Sequence, residues 1–154
     1  MDIGEALTQI QNVRQNMQQI MVGKETAVNL LLIALLSRGH ALLEDVPGIG
    51  KTTMVNALAQ SLACSFARIQ FTPDVMPSDI TGFSMFNMKS QEFEFHPGPV
   101  LHQIILADEI NRTSPKTQSS LLEIMQEHQL TVDGITYPLP EPFMVLATQN
   151  PIEH

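Results

Sequence analysis

Four short runs of apolar residues constrain the fold of this chain more than any other feature. They lie at about residues 40–44, 66–71, 104–108 and 143–148, and stretches with helical spacing of apolar residues separate them. Strands that are apolar on both faces are typical of a parallel sheet with helices on each side. The predicted fold class is therefore α/β, with a three-layer core built on a mostly parallel sheet.

The segments between these runs predict helices. Apolar residues recur at helical spacing over 3–21, with Gln and Asn between them, and Val22-Gly23 follows. Residues 24–38 are nearly all apolar, which predicts a second helix that is buried. Two further helices are predicted, from Lys51 to about residue 63 and from Ser114-Pro115 to about residue 128.

Two hairpins are predicted outside the sheet. Phe83, Phe93 and Phe95 alternate with polar residues, which indicates a hairpin that projects from the core. We expect its aromatic face to pack on the core; the alternative is an exposed surface that contacts clients. Residues 130–137 form a second hairpin on an Asp-Gly turn. Residues 72–82, rich in Pro and Asp, are predicted to be a connection.

Composition limits the class of protein. The 154 residues suit one domain, and a net charge of −8 with scattered basic residues argues against general nucleic-acid binding. A single cysteine, Cys64, suits a reducing cytoplasm. The N-terminus has no signal-peptide pattern, and the most apolar stretch, 27–36, is too short to cross a bilayer. We expect a cytoplasmic protein without stable membrane insertion.

The first apolar run leads into a glycine-containing loop, VPGIGKTT. Gly48 and Gly50 allow backbone N–H groups to surround phosphate oxygens, Lys51 can reach the terminal phosphates, and the Thr52 hydroxyl can ligate Mg²⁺. Asp45 stands where the usual pattern has its first glycine, so an ordinary turn between strand and helix remains the alternative. The predicted phosphate-binding residues are Val46, Pro47, Gly48, Ile49, Gly50, Lys51, Thr52 and Thr53.

Two later strands end in polar residues that suit the same site. In IILADE, Asp108 would orient Mg²⁺ through water and Glu109 would polarise an attacking water. In VLATQN, Asn150 could hold that water or the γ-phosphate, although Asn is also a common turn residue. Since carboxyl ends of parallel strands share one edge, the three segments together predict a nucleotide and Mg²⁺ site. Its predicted catalytic residues are Lys51, Glu109 and Asn150, and its metal ligands are Thr52 and Asp108.

Three segments resemble the MoxR-type AAA+ ATPases: GHALLEDVPGIGKT, LADEINRTSPKTQSSLLEIMQEHQLTVDG and FMVLATQNPIEH. The resemblance runs from about Val22 to the last residue, and that family tolerates Asp at position 45. It implies that Lys51 and Thr52 end Walker A, Asp108 and Glu109 form Walker B, Asn150 is sensor 1, and Val22 and Gly23 lie beside the adenine.

The resemblance also implies roles for the hairpins and for two polar residues. The first hairpin would be the family's insertion in the second helix, and the second its pre-sensor hairpin. Gln70 would restrain Glu109 until a client binds. Arg112 would reach a neighbouring subunit, or else would serve a helix cap or a salt bridge.

As a family member the protein would be an ATPase that works as a homo-oligomeric ring, a hexamer, and remodels or matures client proteins. Its implied roles include metal-cofactor insertion, and its implied partners include proteins with von Willebrand factor A domains. Residues 1–154 would form one nucleotide-binding core that ends before the fifth strand, the arginine finger and the helical lid. Turnover by these residues alone is expected to be weak, since an arginine finger contributes on the order of 10³–10⁵ in rate.

Three other functions stay open. A nucleotide-gated binding module would keep its function after Glu109→Gln. A magnesium-chelatase motor subunit would share the same motifs. A DNA-acting AAA+ motor is disfavoured by the acidic charge and by the lack of a basic stripe.

Overall fold

A four-stranded parallel sheet forms the centre of the protein in the computed structural model, which describes residues 1–44 and 50–149. Its strands are β1 (Ala41–Glu44), β2 (Phe66–Gln70), β5 (Ile104–Asp108) and β8 (Met144–Gln149). They lie in the order β1-β8-β5-β2. The predicted α/β class with a parallel sheet is confirmed.

Three helices cover one face of the sheet. They are α1 (Ile3–Ile20), α2 (Glu25–Leu36) and α3 (Lys51–Ser61). Side chains alternate across a strand, so Ile104 and Leu106 of β5 point to this face and pack with Met17 of α1, Leu31 of α2 and Leu58 of α3. The helices are held because their apolar sides bury this half of the sheet.

The remaining elements cover the opposite face. They are α4 (Pro77–Thr81), β3 (Gly82–Asn87), β4 (Glu92–Pro97), α5 (Pro115–Glu127), β6 (Gln129–Val132) and β7 (Ile135–Pro138), with 3₁₀ turns at Pro99–Leu101 and Ile110–Arg112. Ile105 and Ala107 of β5 point here and pack in one cluster with Ile80, Leu121 and Leu130. The two clusters lie on opposite sides of β5, which gives the three layers.

Both predicted hairpins form, but the prediction for the aromatic face of the first is wrong. Only Phe95 packs inward, with its ring 4.2 Å from that of Tyr137. Phe93 is 75% exposed and Phe83 51% exposed. Phe93 lies further towards the tip of the hairpin, where its ring meets that of Phe86 edge-on.

Two helix predictions also need correction. The second helix is not wholly buried: Leu30 and Ile33 are 61% and 59% exposed, because only the side that carries Val28 and Leu31 meets the core. The segment 72–82 is not only a connection, because it contains α4, which begins at a proline and whose Asp79 accepts a hydrogen bond from the Met76 N–H. Among the described residues, no helix is both long and apolar enough to cross a bilayer.

Candidate functional site

The carboxyl ends of the central strands bring the predicted acidic residues to one edge of the sheet. Gln70, the last residue of β2, is paired in register with Asp108, the last residue of β5. Thr148, near the end of β8, lies beside Asp108 on the other side. This edge is the usual place for a ligand in an open parallel sheet.

The N-terminus of α3 carries the described part of the predicted phosphate loop. Gly50 caps the helix in the left-handed region, at φ 69° and ψ 42°, where glycine is favoured. Lys51 is half-buried, and Thr52 and Thr53 are exposed in the first turn. The free N–H groups of a helix start attract anions. The other predicted loop residues, Val46, Pro47, Gly48 and Ile49, lie outside the described residues, as does Asp45.

Asp108 is held by neighbours on both sides. Its Oδ1 accepts a hydrogen bond of 2.5 Å from the Thr148 hydroxyl, and its Oδ2 accepts one of 2.5 Å from Arg68 Nη2. Burial acts to raise the pKa of Asp108, but the Thr148 hydrogen bond, the Arg68 guanidinium and the Lys51 charge outweigh it, so the pKa is lowered. Asp108 is therefore ionised at neutral pH.

Glu109 follows Asp108 and has an uncommon backbone conformation. Its φ of 57° is in the left-handed region, which is uncommon for a residue with a side chain and recurs at functional sites. Its Oε2 accepts hydrogen bonds of 3.1 Å from Gln70 Nε2 and 2.8 Å from Arg112 Nη1. Gln70 therefore contacts Glu109 as predicted, and Arg112 forms a salt bridge with the same carboxylate.

Among the described residues, the two that are predicted to flank the adenine stand apart from this network. Val22 and Gly23 lie between α1 and α2, with Val22 81% exposed and Gly23 at φ 77°. None of the hydrogen bonds that hold Asp108 and Glu109 involves them. Asn150 lies outside the described residues, although Gln149, which precedes it, ends β8 at this edge.

Two residues of the network were given no role by the sequence analysis. Arg68 lies two residues before Gln70, so the two side chains share a face of β2, which is the signal that was available. Thr148 is 2% exposed and links the acids, since its hydroxyl accepts from the Glu109 N–H at 2.9 Å and donates to Asp108. A polar residue at the end of a buried strand marks that position.

The donor set fits magnesium better than a transition metal. No group of three or more His, Cys, Asp or Glu side chains with metal-binding geometry occurs among residues 1–44 and 50–149. Protein Mg²⁺ sites commonly use one or two carboxylates together with substrate phosphates. The ionised Asp108, with a hydroxyl at Thr52 on the helix that carries Lys51, fits that pattern.

Comparison with known proteins agrees with this architecture. Residues 40–154 match the model of the ATPase family associated with various cellular activities (AAA). The chain is 60% identical to YeaC of Bacillus subtilis (strain 168), over 91% of this chain and 44% of that protein. It is 50% identical to "Chaperone MoxR1" of Mycobacterium tuberculosis, over 89% of this chain and 36% of that protein.

A solved structure is similar as well. The crystal structure of a candidate ATPase from Cytophaga hutchinsonii covers 98% of this chain with a TM-score of 0.81 and 46% identity, and the match takes up 48% of that protein. The chain thus spans less than half the length of these relatives. Fold and family match together show that it belongs to the AAA ATPases. Within them, it is a member of the MoxR family of AAA+ ATPases.

Proposed function

We propose that the protein binds ATP with Mg²⁺ at this edge of the sheet and hydrolyses it. The observation that carries the proposal is the Asp108 carboxylate at the end of β5, held by hydrogen bonds at the carboxyl edge of the sheet. The helix α3, which begins at Lys51, packs against the same sheet. A cation for phosphates and an ionised acid for a metal, brought together from separate segments, are the minimum that nucleotide hydrolysis needs.

Each residue has a role in this proposal. Lys51 and the N-terminus of α3 bind the phosphates, together with the loop from Val46 to Thr53. Thr52 and Asp108 hold Mg²⁺, which neutralises charge on the phosphates when bound. Val22 and Gly23 flank the adenine, and Asn150 helps to position the water.

Glu109 is the proposed general base that orients and polarises the attacking water. In the structure its Oε2 accepts hydrogen bonds from both Gln70 and Arg112, and each bond draws electron density from the carboxylate. Breaking these bonds would free Glu109 for the water. The rate of turnover therefore depends on how readily Glu109 loses its hydrogen bonds to Gln70 and Arg112.

At the level of the whole protein we propose a chaperone-like motor. A relative bears the name Chaperone MoxR1, which supports action on client proteins. We extend this to a cytoplasmic homo-oligomeric ring, of hexamer size, that remodels or matures partners, including proteins with von Willebrand factor A domains and recipients of metal cofactors. Residues 1–154 would be its nucleotide-binding core and would turn over slowly by themselves.

A second candidate function is a nucleotide-gated binding module. The two hydrogen bonds on Glu109 favour it, because a restrained base makes hydrolysis slow and leaves time for the ATP state to bind a partner. Partner binding would then depend on ATP and would survive Glu109→Gln.

The experiment that tests the proposal uses the full-length protein. Lys51→Ala should weaken ATP binding about tenfold or more. Glu109→Gln should keep binding but reduce turnover at least about 10²-fold, as expected for loss of a general base. Glu123→Gln, an exposed acid on α5, is the matched control and should leave both unchanged. Unchanged turnover in both site variants would refute the ATPase, and partner binding that persists in Glu109→Gln would favour the module.

A further inference from the structure

Arg68 lies between Asp108 and Gln70, the partner of Glu109, and the proposed chemistry gives Arg68 no role. It lies in the middle of β2, and its side chain runs along the strand to the carboxyl edge. One nitrogen, Nη2, lies 2.5 Å from Asp108 Oδ2 and 2.9 Å from Gln70 Oε1. A single donor group thus joins the residue proposed to hold a metal to the residue that restrains Glu109.

The hydrogen bond from Arg68 sets the orientation of the Gln70 amide. An amide has one accepting and one donating end, and Gln70 places its oxygen on Arg68 and its Nε2 on Glu109. The flipped amide would set its NH₂ group against the guanidinium and its oxygen against the carboxylate, and both contacts would be unfavourable. Arg68 therefore favours the orientation in which Gln70 restrains Glu109.

The partners of the two Asp108 oxygens differ in exposure. Thr148, which binds Asp108 Oδ1, is buried, whereas the Arg68 side chain on Oδ2 is 48% exposed. A ligand that arrives from solvent therefore meets Asp108 at Oδ2. The Arg68 side of this ion pair is half-exposed, which weakens the pair, so a doubly charged cation can displace Arg68.

We infer that Arg68 is a positioning residue that shares Asp108 Oδ2 with the metal and ties the release of Glu109 to metal binding. Arg68 must leave Oδ2 when that oxygen takes up the divalent cation or a water of its shell. Gln70 then loses the partner that fixes its amide, and its hold on Glu109 loosens. This inference rests on the proposed function, because it needs a cation at Asp108.

The coupling between Arg68 and Gln70 predicts that their substitutions have non-additive effects on metal affinity. Removing Arg68 leaves Oδ2 free for the cation. Removing the Gln70 amide deprives Arg68 of one of its two acceptors and so weakens its hold on Oδ2. If Gln70 acts on the metal only through Arg68, its removal has no further effect once Arg68 is gone.

The test measures Mn²⁺ affinity by electron paramagnetic resonance in the full-length protein with a non-hydrolysable ATP analogue. Arg68→Met should tighten Mn²⁺ binding about three- to tenfold, as expected for loss of an exposed charged competitor. Gln70→Ala should tighten it about twofold, and the double variant should match Arg68→Met. Arg68→Lys, which keeps the charge but not the fork of donors, should fall in between.

Arg14→Met is the control for loss of a positive charge, since Arg14 is exposed on α1. Equal Mn²⁺ affinities of the Arg68→Met and Arg14→Met variants would overturn the inference. A double variant in which the fold-changes of Gln70→Ala and Arg68→Met multiply would overturn it as well. Nucleotide-dependent Mn²⁺ binding that Asp108→Asn abolishes would show, in either case, that the proposed function stands. A wild-type protein without such binding would overturn the proposed function and this inference with it.

Discussion

The hydroxyl of Thr148 donates a hydrogen bond of 2.5 Å to Asp108 while it accepts one of 2.9 Å from the Glu109 N–H. One buried side chain of β8 thus holds the Asp108 carboxylate at the end of β5 and the backbone of Glu109, the next residue. Lateral contacts across the sheet thus position Asp108, since Arg68 of β2 and Thr148 of β8 bind it from either side.

Thr148→Val tests the two hydrogen bonds of the Thr148 hydroxyl. Valine keeps the shape but leaves the Glu109 N–H and Asp108 Oδ1 without this partner, so the free energy of unfolding should fall by about 1–3 kcal/mol. Urea denaturation measures it. Thr131→Val is the matched control: this exposed residue shares its hydroxyl contact with Thr136, and the change should stay within about 0.5 kcal/mol. Equal effects in the two variants would contradict the role of Thr148.

The lowered pKa of Asp108 predicts how the free energy of unfolding depends on pH. Its pKa in the folded protein lies below the ordinary value of 3.8, so its ionised form stabilises the fold above that pH. The difference in unfolding free energy between wild type and Asp108→Asn should be constant at neutral pH and shrink as the pH falls below 3.8. A difference that already changes well above that value would mean that the pKa of Asp108 is raised.

Substitution of Arg112 tests whether this residue restrains Glu109 in its own chain or acts on a neighbouring subunit. If its ion pair with Glu109 restrains the base, Arg112→Met should raise turnover without a client about threefold, the value of one exposed ion pair. Steady-state hydrolysis measures this, with Lys116→Met, an exposed cation in the first turn of α5, as control. If Arg112 instead acted as an arginine finger, turnover would fall by about 10³-fold or more.

Gly82 and Gly98 hold the first hairpin against the core by close backbone contact. A Cβ on Gly82, at φ 90°, would lie 2.2 Å from the His96 carbonyl oxygen, and one on Gly98 would lie 2.3 Å from that of Ile80. Either change to alanine should lower the unfolding free energy by about 3 kcal/mol or more, since backbone must move. Gly39→Ala, whose Cβ would meet its nearest atom at 3.4 Å, should cost far less. A mild effect at Gly82 would mean that the hairpin adjusts freely.

The central elements were predictable because each has a strong local signal. The strand Ile104–Asp108 was predicted at its observed bounds, since four apolar residues end at two acids. The helix Pro115–Glu127 begins after Ser114, whose side chain accepts from the Thr117 N–H as a cap should. Apolar runs and caps involve only near neighbours in sequence, so sequence analysis detects them.

The sequence predictions fail where contacts between distant parts of the chain determine the structure. Whether Leu30 is covered depends on which side of α2 meets the sheet, and a run of apolar residues does not show that. Phe93 and Phe95 look alike in the sequence, yet only Phe95 lies near enough to the core to meet Tyr137. The Arg68–Asp108 contact depends on the pairing of β2 with β5, which brings together residues 40 positions apart.

The most direct test of the central claim compares nucleotide affinity with and without magnesium by isothermal titration calorimetry of the full-length protein with an ATP analogue. With Mg²⁺, Lys51→Ala and Asp108→Asn should each weaken binding about tenfold or more, as expected for loss of a charged contact. Without Mg²⁺, only Lys51→Ala should weaken it. The exposed Asp74→Asn serves as control. An Asp108→Asn variant that binds the magnesium complex as tightly as Asp74→Asn does would contradict a shared nucleotide and metal site at this edge of the sheet.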